Sequence, residues 1–140
     1  MPIASKITHY LAFDPRLSPL YNSQTIGSGK VGGKARGLLF AQQILRQSNN
    51  PLFNRVAIPL SYFIATGVFD DFVAQNQLQR IAESGRDFEQ IKAAFMEGSF
   101  APAIHDQLAT LINQLPFPFT VRSSSLLEDN LRYSFAGKYL

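Results

Sequence analysis

The chain of 140 residues contains no cysteine. Disulfide bonds and thiolate metal sites are therefore excluded, and the absence fits a reducing compartment. No apolar run approaches the ~18 residues that a transmembrane helix needs, and the first residues lack the apolar core of a secretory signal peptide. We therefore expect a cytoplasmic protein with no membrane partner.

Acidic residues are also missing from the stretch Pro15–Phe69, although its lysines and arginines give it unopposed positive charge. Such a stretch suits an anionic partner, whether a nucleotide, a nucleic acid or a phosphorylated metabolite. The alternative is a basic face balanced by the acidic residues that begin at Asp70. We do not expect nucleic-acid binding, because the basic residues are not interleaved with aromatic stacking platforms.

Hydrophobic periodicity predicts a helix over Lys34–Gln47 that ends before Pro51. Its predicted apolar face comprises Leu38, Leu39, Ala41, Ile44 and Leu45. The stretch Arg55–Thr66 is rich in β-branched and aromatic residues and is split by Pro59, which predicts two short strands or one broken edge strand.

Three more helices and a strand are predicted in the second half of the chain. The helices cover residues 68–77 with Thr66 as the cap, residues 88–97 after Ser84 or Asp87, and Pro102–Leu115. Phe88 and Ile112 are among the side chains predicted to face inward, and Gly98 is predicted to end the second of these helices. The FTVRS stretch (119–123) reads as a strand with Phe119 and Val121 inward. The predicted fold class is α/β or α+β, without a clean βαβ rhythm.

The glycine-rich segment IGSGKVGGKARG (26–37) satisfies G-x-G-x-x-G at Gly27, Gly29 and Gly32. A dinucleotide fold is not predicted, because no clear strand precedes the motif and no acidic residue follows about 20 positions later. A P-loop is not predicted either, since Ser28 and Ala35 stand where that motif needs a glycine and a hydroxyl.

Gly32, Gly33 and Lys34 nevertheless favour an anion. Glycines let backbone N–H groups approach a ligand closely, and the following helix N-terminus attracts phosphate. A lysine in a first turn opposes the helix dipole, so an anionic ligand explains Lys34 better than helix stability does. The alternative is a flexible loop with solvated lysines.

The segment after the predicted strand carries Arg122 and the three serines 123–125. An arginine at a strand end suits bidentate phosphate contact, and Ser123 adds a hydroxyl donor. The alternative is structural, because Ser125 and Glu128 have capping-box spacing and Glu128-Asp129 favour a helix N-terminus.

Three stretches, in this order, resemble the ATP-grasp nucleotide-binding domain of the pyruvate phosphate dikinase and phosphoenolpyruvate synthase family. They are VGGKARGL (31–38), VAIPLSYFIATGVFDDF (56–72) and TVRSSSLLEDNLRYSFAGKY (120–139). The third is the most specific, because VRSS, ED and SFAG recur together in that family. The resemblance implies a partial ATP-binding domain over residues 26–140, the first lobe of an ATP-grasp-like fold, after an N-terminal extension of residues 1–25.

The resemblance also implies phosphoryl transfer from ATP to a histidine on another domain. Lys34 and Arg122 match the residues that contact the nucleotide phosphates, and the segment from Ser134 through Ala136 to Gly137 matches the loop over them. His9 and His105 do not lie in that histidine's motif, and we expect His105 on the surface. The resemblance places the Mg²⁺ ligands beyond this chain, so we expect a fragment that is inactive alone. The alternative is a non-catalytic phosphate- or nucleotide-binding regulatory module.

Overall fold

A computed structural model describes residues 9–116, 118–124, 129–130 and 133–134. The chain forms two compact units. The first unit comprises Met1–Thr25, Val31–Phe63 and Ser123–Leu140, and the second comprises Ile26–Lys30 and Ile64–Arg122.

The described chain is mostly helical. Its α-helices are α1 (Pro19–Gln24), α2 (Gly33–Gln47), α3 (Thr66–Gln75), α4 (Leu78–Ala82), α5 (Phe88–Glu97) and α6 (Pro102–Gln114). Short strands β1 (Thr25–Ile26) and β2 (Phe63–Ile64) form a parallel pair. Strands β3 (Asp129–Asn130) and β4 (Tyr133–Ser134) are antiparallel, with Asp129 opposite Ser134 and Asn130 opposite Tyr133. This content is consistent with a partial α/β domain.

The core of the first unit forms around α2. Ala35 and Leu39 lie one helical turn apart in α2 and pack with Val31, which precedes the helix, and with Phe13 and Phe63. The predicted helix is therefore confirmed, but its predicted face is partly wrong. Ala41 and Ile44 are exposed. The buried face of the helix passes through Ala35 and Leu39, and Ala41 and Ile44 lie outside that face.

Residues 9–24, for which no helix or strand is predicted, are folded onto this core. Residues 9–12 are helical, and a 3₁₀ turn (Pro15–Leu17) precedes α1. Tyr10 and Phe13 each pack edge-on against Phe40 at 5.3 Å between ring centroids. Asp14 accepts hydrogen bonds from Arg16, which lower the pKa of its carboxyl group. We call residues 9–24 the N-terminal strap.

The second unit contains helices α3 to α6. Asp87, one of the two predicted starts, caps α5 and accepts from the Gln90 N–H at 2.9 Å. Gly98 ends that helix, as predicted. Phe88 was expected to face inward but is 68% exposed, because it is the first residue of α5. Ile112 is likewise exposed, near the end of α6.

Side-chain amides fix the junction between α3 and α5 in the second unit. The Asn76 amide donates to the Ser99 carbonyl at 2.9 Å, and its oxygen accepts from the Ser99 N–H at 3.1 Å. Helix α3 ends at Gln75, earlier than predicted, because Gln77 adopts a left-handed φ of 54°. Phe72 packs beside Gly98 and against Phe100, whose ring centroid lies 4.9 Å away.

Two predicted strands differ from the structure. Only Phe63–Ile64 is a strand within residues 55–66, since Pro51–Arg55 forms a 3₁₀ turn and Pro59 interrupts the rest. Residues 119–123 do not form a strand, and Val121, predicted inward, is 86% exposed. Strand residues need a neighbouring strand to pair with their backbone groups, and none pairs with 119–123 in the described chain.

No helix in the described ranges is long and apolar enough to cross a bilayer. His105 is exposed, as predicted, and lies beside Asp106 with 3.3 Å between Nδ1 and Oδ1.

Candidate nucleotide site

The candidate site is the start of α2, which we call the Gly-Gly-Lys turn (residues 32–34). Gly32 is the N-cap residue and Lys34 lies in the first helical turn. The first N–H groups of a helix lack partners within the helix, and a side chain at the N-cap usually accepts from one of them. Gly32 has no side chain that could do so.

Ser124 supplies the missing cap from 89 residues farther along the chain. Its Oγ accepts a hydrogen bond from the Ala35 N–H at 3.2 Å. Its backbone also lies directly against Gly32, where a Cβ atom would collide with the Ser124 carbonyl. Gly32 is therefore a glycine because the serine segment packs against it.

Lys34 contacts the same segment. Its Nζ donates a hydrogen bond to the Ser123 carbonyl at 3.2 Å. An ammonium group and the positive end of a helix dipole are thus held together at one turn. This arrangement is chemically suited to a phosphate group, because backbone N–H groups and a cation converge there.

A second glycine–lysine turn, Gly27–Lys30, lies in the second unit and has a different partner. Its carbonyls accept from the first turn of α3: Ser28 O from the Gly67 N–H at 2.9 Å, and Lys30 O from the Thr66 N–H at 2.8 Å. Gly29 has a φ of 107°, and a Cβ atom there would lie 2.8 Å from Thr66 Oγ1. The glycines of this turn are therefore required by packing on α3.

Thr66 does not cap α3, contrary to the prediction. The N-cap residue is Ala65, and Thr66 is the first residue of the helix. The Thr66 hydroxyl instead accepts from the Lys30 N–H at 3.1 Å. The cap prediction is wrong because the chain passes a loop across this helix end, so loop carbonyls replace a side-chain cap.

The structure brings four of the predicted site residues together in the first unit: Gly32, Gly33, Lys34 and Ser123. Arg122, the residue before Ser123, belongs to the second unit and has an exposed side chain. The structure places Ser134 in β4. Ala136 and Gly137 lie outside the described residues, as do Ser125 and Glu128.

One acidic residue of the third stretch, Asp129, does not lie where one of the predicted alternatives requires. Asp129 was expected at a helix N-terminus if Ser125 and Glu128 formed a capping box, but it lies in strand β3. Within the described residues no group of three His, Cys, Asp or Glu side chains could hold a metal ion.

Sequence reasoning missed Ser124 as the cap of α2. The partner N–H lies 89 residues away, and capping patterns are read within one turn of a helix. The sequence signal for this cap is indirect. Gly32 stands at the N-cap, where a serine is usual, and a run of three serines stands at residues 123–125.

One comparison with known proteins found a match. Residues 28–140 match the family described as pyruvate phosphate dikinase, AMP/ATP-binding domain. Searches of curated proteins and of solved structures gave no significant match. The match spans most of the chain and includes both segments that meet at the Gly-Gly-Lys turn. The chain belongs to the family of the pyruvate phosphate dikinase AMP/ATP-binding domain.

Proposed function

We propose that the chain is the first lobe of an ATP-grasp nucleotide-binding domain and that it binds ATP phosphates at the Gly-Gly-Lys turn. The observation that carries this proposal is the contact between Lys34 and Ser123, 3.2 Å from Nζ to the carbonyl oxygen. It joins, in one unit, the first and the third of the three sequence stretches that carry the family resemblance. Membership of an AMP/ATP-binding family supports nucleotide binding in general.

Each residue has a distinct part in this proposal. Lys34 supplies a positive charge beside the phosphates, and Gly33 presents a backbone N–H with no Cβ in the way. Arg122 would be a further phosphate contact, as the family resemblance implies, through its planar pair of donors. Ser123 holds Lys34 in place through its carbonyl. The segment Ser134–Gly137 would cover the phosphates, as the family resemblance implies.

Phosphoryl transfer needs positioning and charge stabilisation more than covalent chemistry from the protein. Lys34 and Arg122 would stabilise the charge that develops on the transferred group. The acceptor in this proposal is a histidine on another domain of a dikinase-like cytoplasmic protein. Mg²⁺ would neutralise phosphate charge when bound, and its ligands are expected outside residues 26–140, the partial domain.

The test is ATP titration by calorimetry, first on this chain and then on a longer chain extended beyond Leu140. Arg122→Ala is expected to weaken ATP binding by about tenfold or more, because a hydrogen bond to a charged group is lost. Arg86→Ala is the matched control, since Arg86 is also an exposed arginine of the second unit. Equal affinity of Arg122→Ala and the wild type would remove Arg122 from the site. Absence of ATP binding by both chains would contradict the proposed function.

A further inference from the structure

The N-terminal strap (9–24) lies outside the family match, which begins at residue 28. It is nevertheless attached to the same helix turn as the candidate site. The attachment is Arg36, two residues after Lys34 on α2. The function proposed above assigns no task to Arg36.

Arg36 binds the end of the first helical segment of the strap. Its Nη2 group donates to the carbonyls of Tyr10 at 2.9 Å, Leu11 at 3.0 Å and Phe13 at 2.8 Å. These carbonyls lie at the C-terminal end of helical residues 9–12, where a cation is favoured. The Tyr10 carbonyl also accepts from the Phe13 N–H at 3.2 Å. The guanidinium also lies 4.9 Å from the centre of the Tyr10 ring.

A second contact links the strap to the turn. Phe13 and Ala35 are both buried in the core cluster of the first unit. Ala35 is also the residue whose N–H is capped by Ser124. Three consecutive residues of α2 therefore have distant partners: Lys34 binds Ser123, Ala35 binds Ser124 and packs with the cluster, and Arg36 binds the strap.

We propose that Arg36 is a positioning residue that docks the N-terminal strap and thereby orders the Gly-Gly-Lys turn. Docking of the strap and ordering of the turn are coupled, because one short stretch of helix carries both sets of contacts. By linkage, whatever orders the turn also slows release of the strap. Any effect of this coupling on nucleotide affinity rests on the proposed function, whereas the coupling itself does not.

Hydrogen–deuterium exchange of the intact chain tests the coupling without a ligand. Arg36→Lys keeps the charge but loses the planar donor group. Exchange of strap amides 9–24 is expected to rise by about tenfold to a hundredfold, because hydrogen bonds to a charged group are lost. Exchange at residues 33–37 is expected to rise with it. Arg46→Lys, on the exposed last turn of α2, is the matched control and should change neither region.

Ser124→Ala tests the coupling from the other side and does not touch Arg36. It is expected to speed exchange at residues 33–37 and also in the strap. Trypsin cleavage after Arg16, inside the strap, provides an independent rate for strap release. The proposal is overturned if Arg36→Lys leaves the strap or the turn at the wild-type rate, or if Ser124→Ala leaves the strap unchanged.

Added ATP separates this proposal from the proposed function. If ATP slows exchange at the turn, it should also slow exchange in the strap, and a slowed turn with an unchanged strap would overturn the coupling. If ATP changes nothing while Arg36→Lys and Ser124→Ala act as expected, the coupling stands and the nucleotide proposal fails.

Discussion

The two glycine–lysine turns are neighbours in sequence and similar in composition, yet the structure uses them differently. In the turn Gly27–Lys30, backbone carbonyls accept from the start of α3, so the loop itself acts as the cap. In the Gly-Gly-Lys turn, Gly32 is the N-cap residue of α2, and the side chain of Ser124 accepts from the helix in its place. The turn Gly27–Lys30 therefore supplies hydrogen-bond acceptors to another helix, whereas the Gly-Gly-Lys turn receives its acceptor from a distant segment.

The comparison shows that glycine and lysine content alone does not identify a phosphate site. Gly29 is required by its positive φ and by Thr66, and Gly32 by the backbone of Ser124. The distinguishing feature is the lysine. Lys34 lies in the first turn of a helix, at the positive end of the helix dipole, which attracts anions. Lys30 lies in a loop, and its own carbonyl accepts from the first turn of α3.

The largest expected effect is that of Gly32→Ala. The added Cβ collides with the Ser124 backbone, and we expect a loss of about 3 kcal/mol in the free energy of unfolding. Urea denaturation measures it. Gly37→Ala on the same helix is the control, because nothing lies within 4 Å of its Cβ position. Gly37→Ala should stabilise the chain by about 0.5–1 kcal/mol. Equal stability of the two variants would show that Ser124 does not pack on Gly32.

Gly29→Ala should be the next most damaging change, at about 2 kcal/mol, because strain at φ 107° adds to contact with Thr66. Gly85→Ala separates the two causes, since Gly85 also has a positive φ (72°) but open space around it. We expect about 1 kcal/mol for Gly85→Ala by the same denaturation measurement. If Gly29→Ala lowers the free energy of unfolding no more than Gly85→Ala does, packing does not explain the glycine of the turn Gly27–Lys30.

Lys34→Ala and Lys30→Ala compare the two turns as ligand sites. For a nucleotide-binding form of the protein, Lys34→Ala is expected to raise the ATP dissociation constant about tenfold or more. Lys30→Ala should change it by less than about twofold, as expected for an exposed charge outside the site. Calorimetric titration provides both values. A larger effect at Lys30 would reverse the assignment of the two turns.

The smallest expected effects concern the two hydroxyl contacts. Ser124→Ala removes the cap of α2 and should lower the unfolding free energy by about 1 kcal/mol. Thr66→Val removes the acceptor of the Lys30 N–H and should cost about 1 kcal/mol as well. Only Ser124→Ala is expected to weaken ATP binding, because only its contact lies at the Gly-Gly-Lys turn. Equal ATP affinities of the two variants would contradict this difference.

Local patterns of the sequence predicted the helices well. Helical periodicity located α2, α5 and α6, and Asp87 and Gly98 marked the two ends of α5. These signals act within one or two turns, so the sequence carries them directly. The family resemblance assigned to one domain the stretches 31–38 and 120–139, which contain Lys34 and Ser123.

Long-range partners could not be predicted from the sequence. The strand expected at 119–123 needs a pairing partner that local pattern does not reveal, and the cap of α2 lies 89 residues from its helix. The fold of the N-terminal strap could not be predicted either, because the strap is held by Arg36 and the α2 core and has no hydrophobic periodicity of its own.

The Asn76–Ser99 pair has a consequence for the chemical ageing of the protein. The Asn76 amide imitates a peptide group, donating to and accepting from the same residue. Deamidation to aspartate would replace the donor with a second acceptor facing the Ser99 carbonyl. The repulsion between the two oxygens would then open the junction between α3 and α5. Replacing one nitrogen atom of Asn76 by oxygen would thus change the packing of two helices.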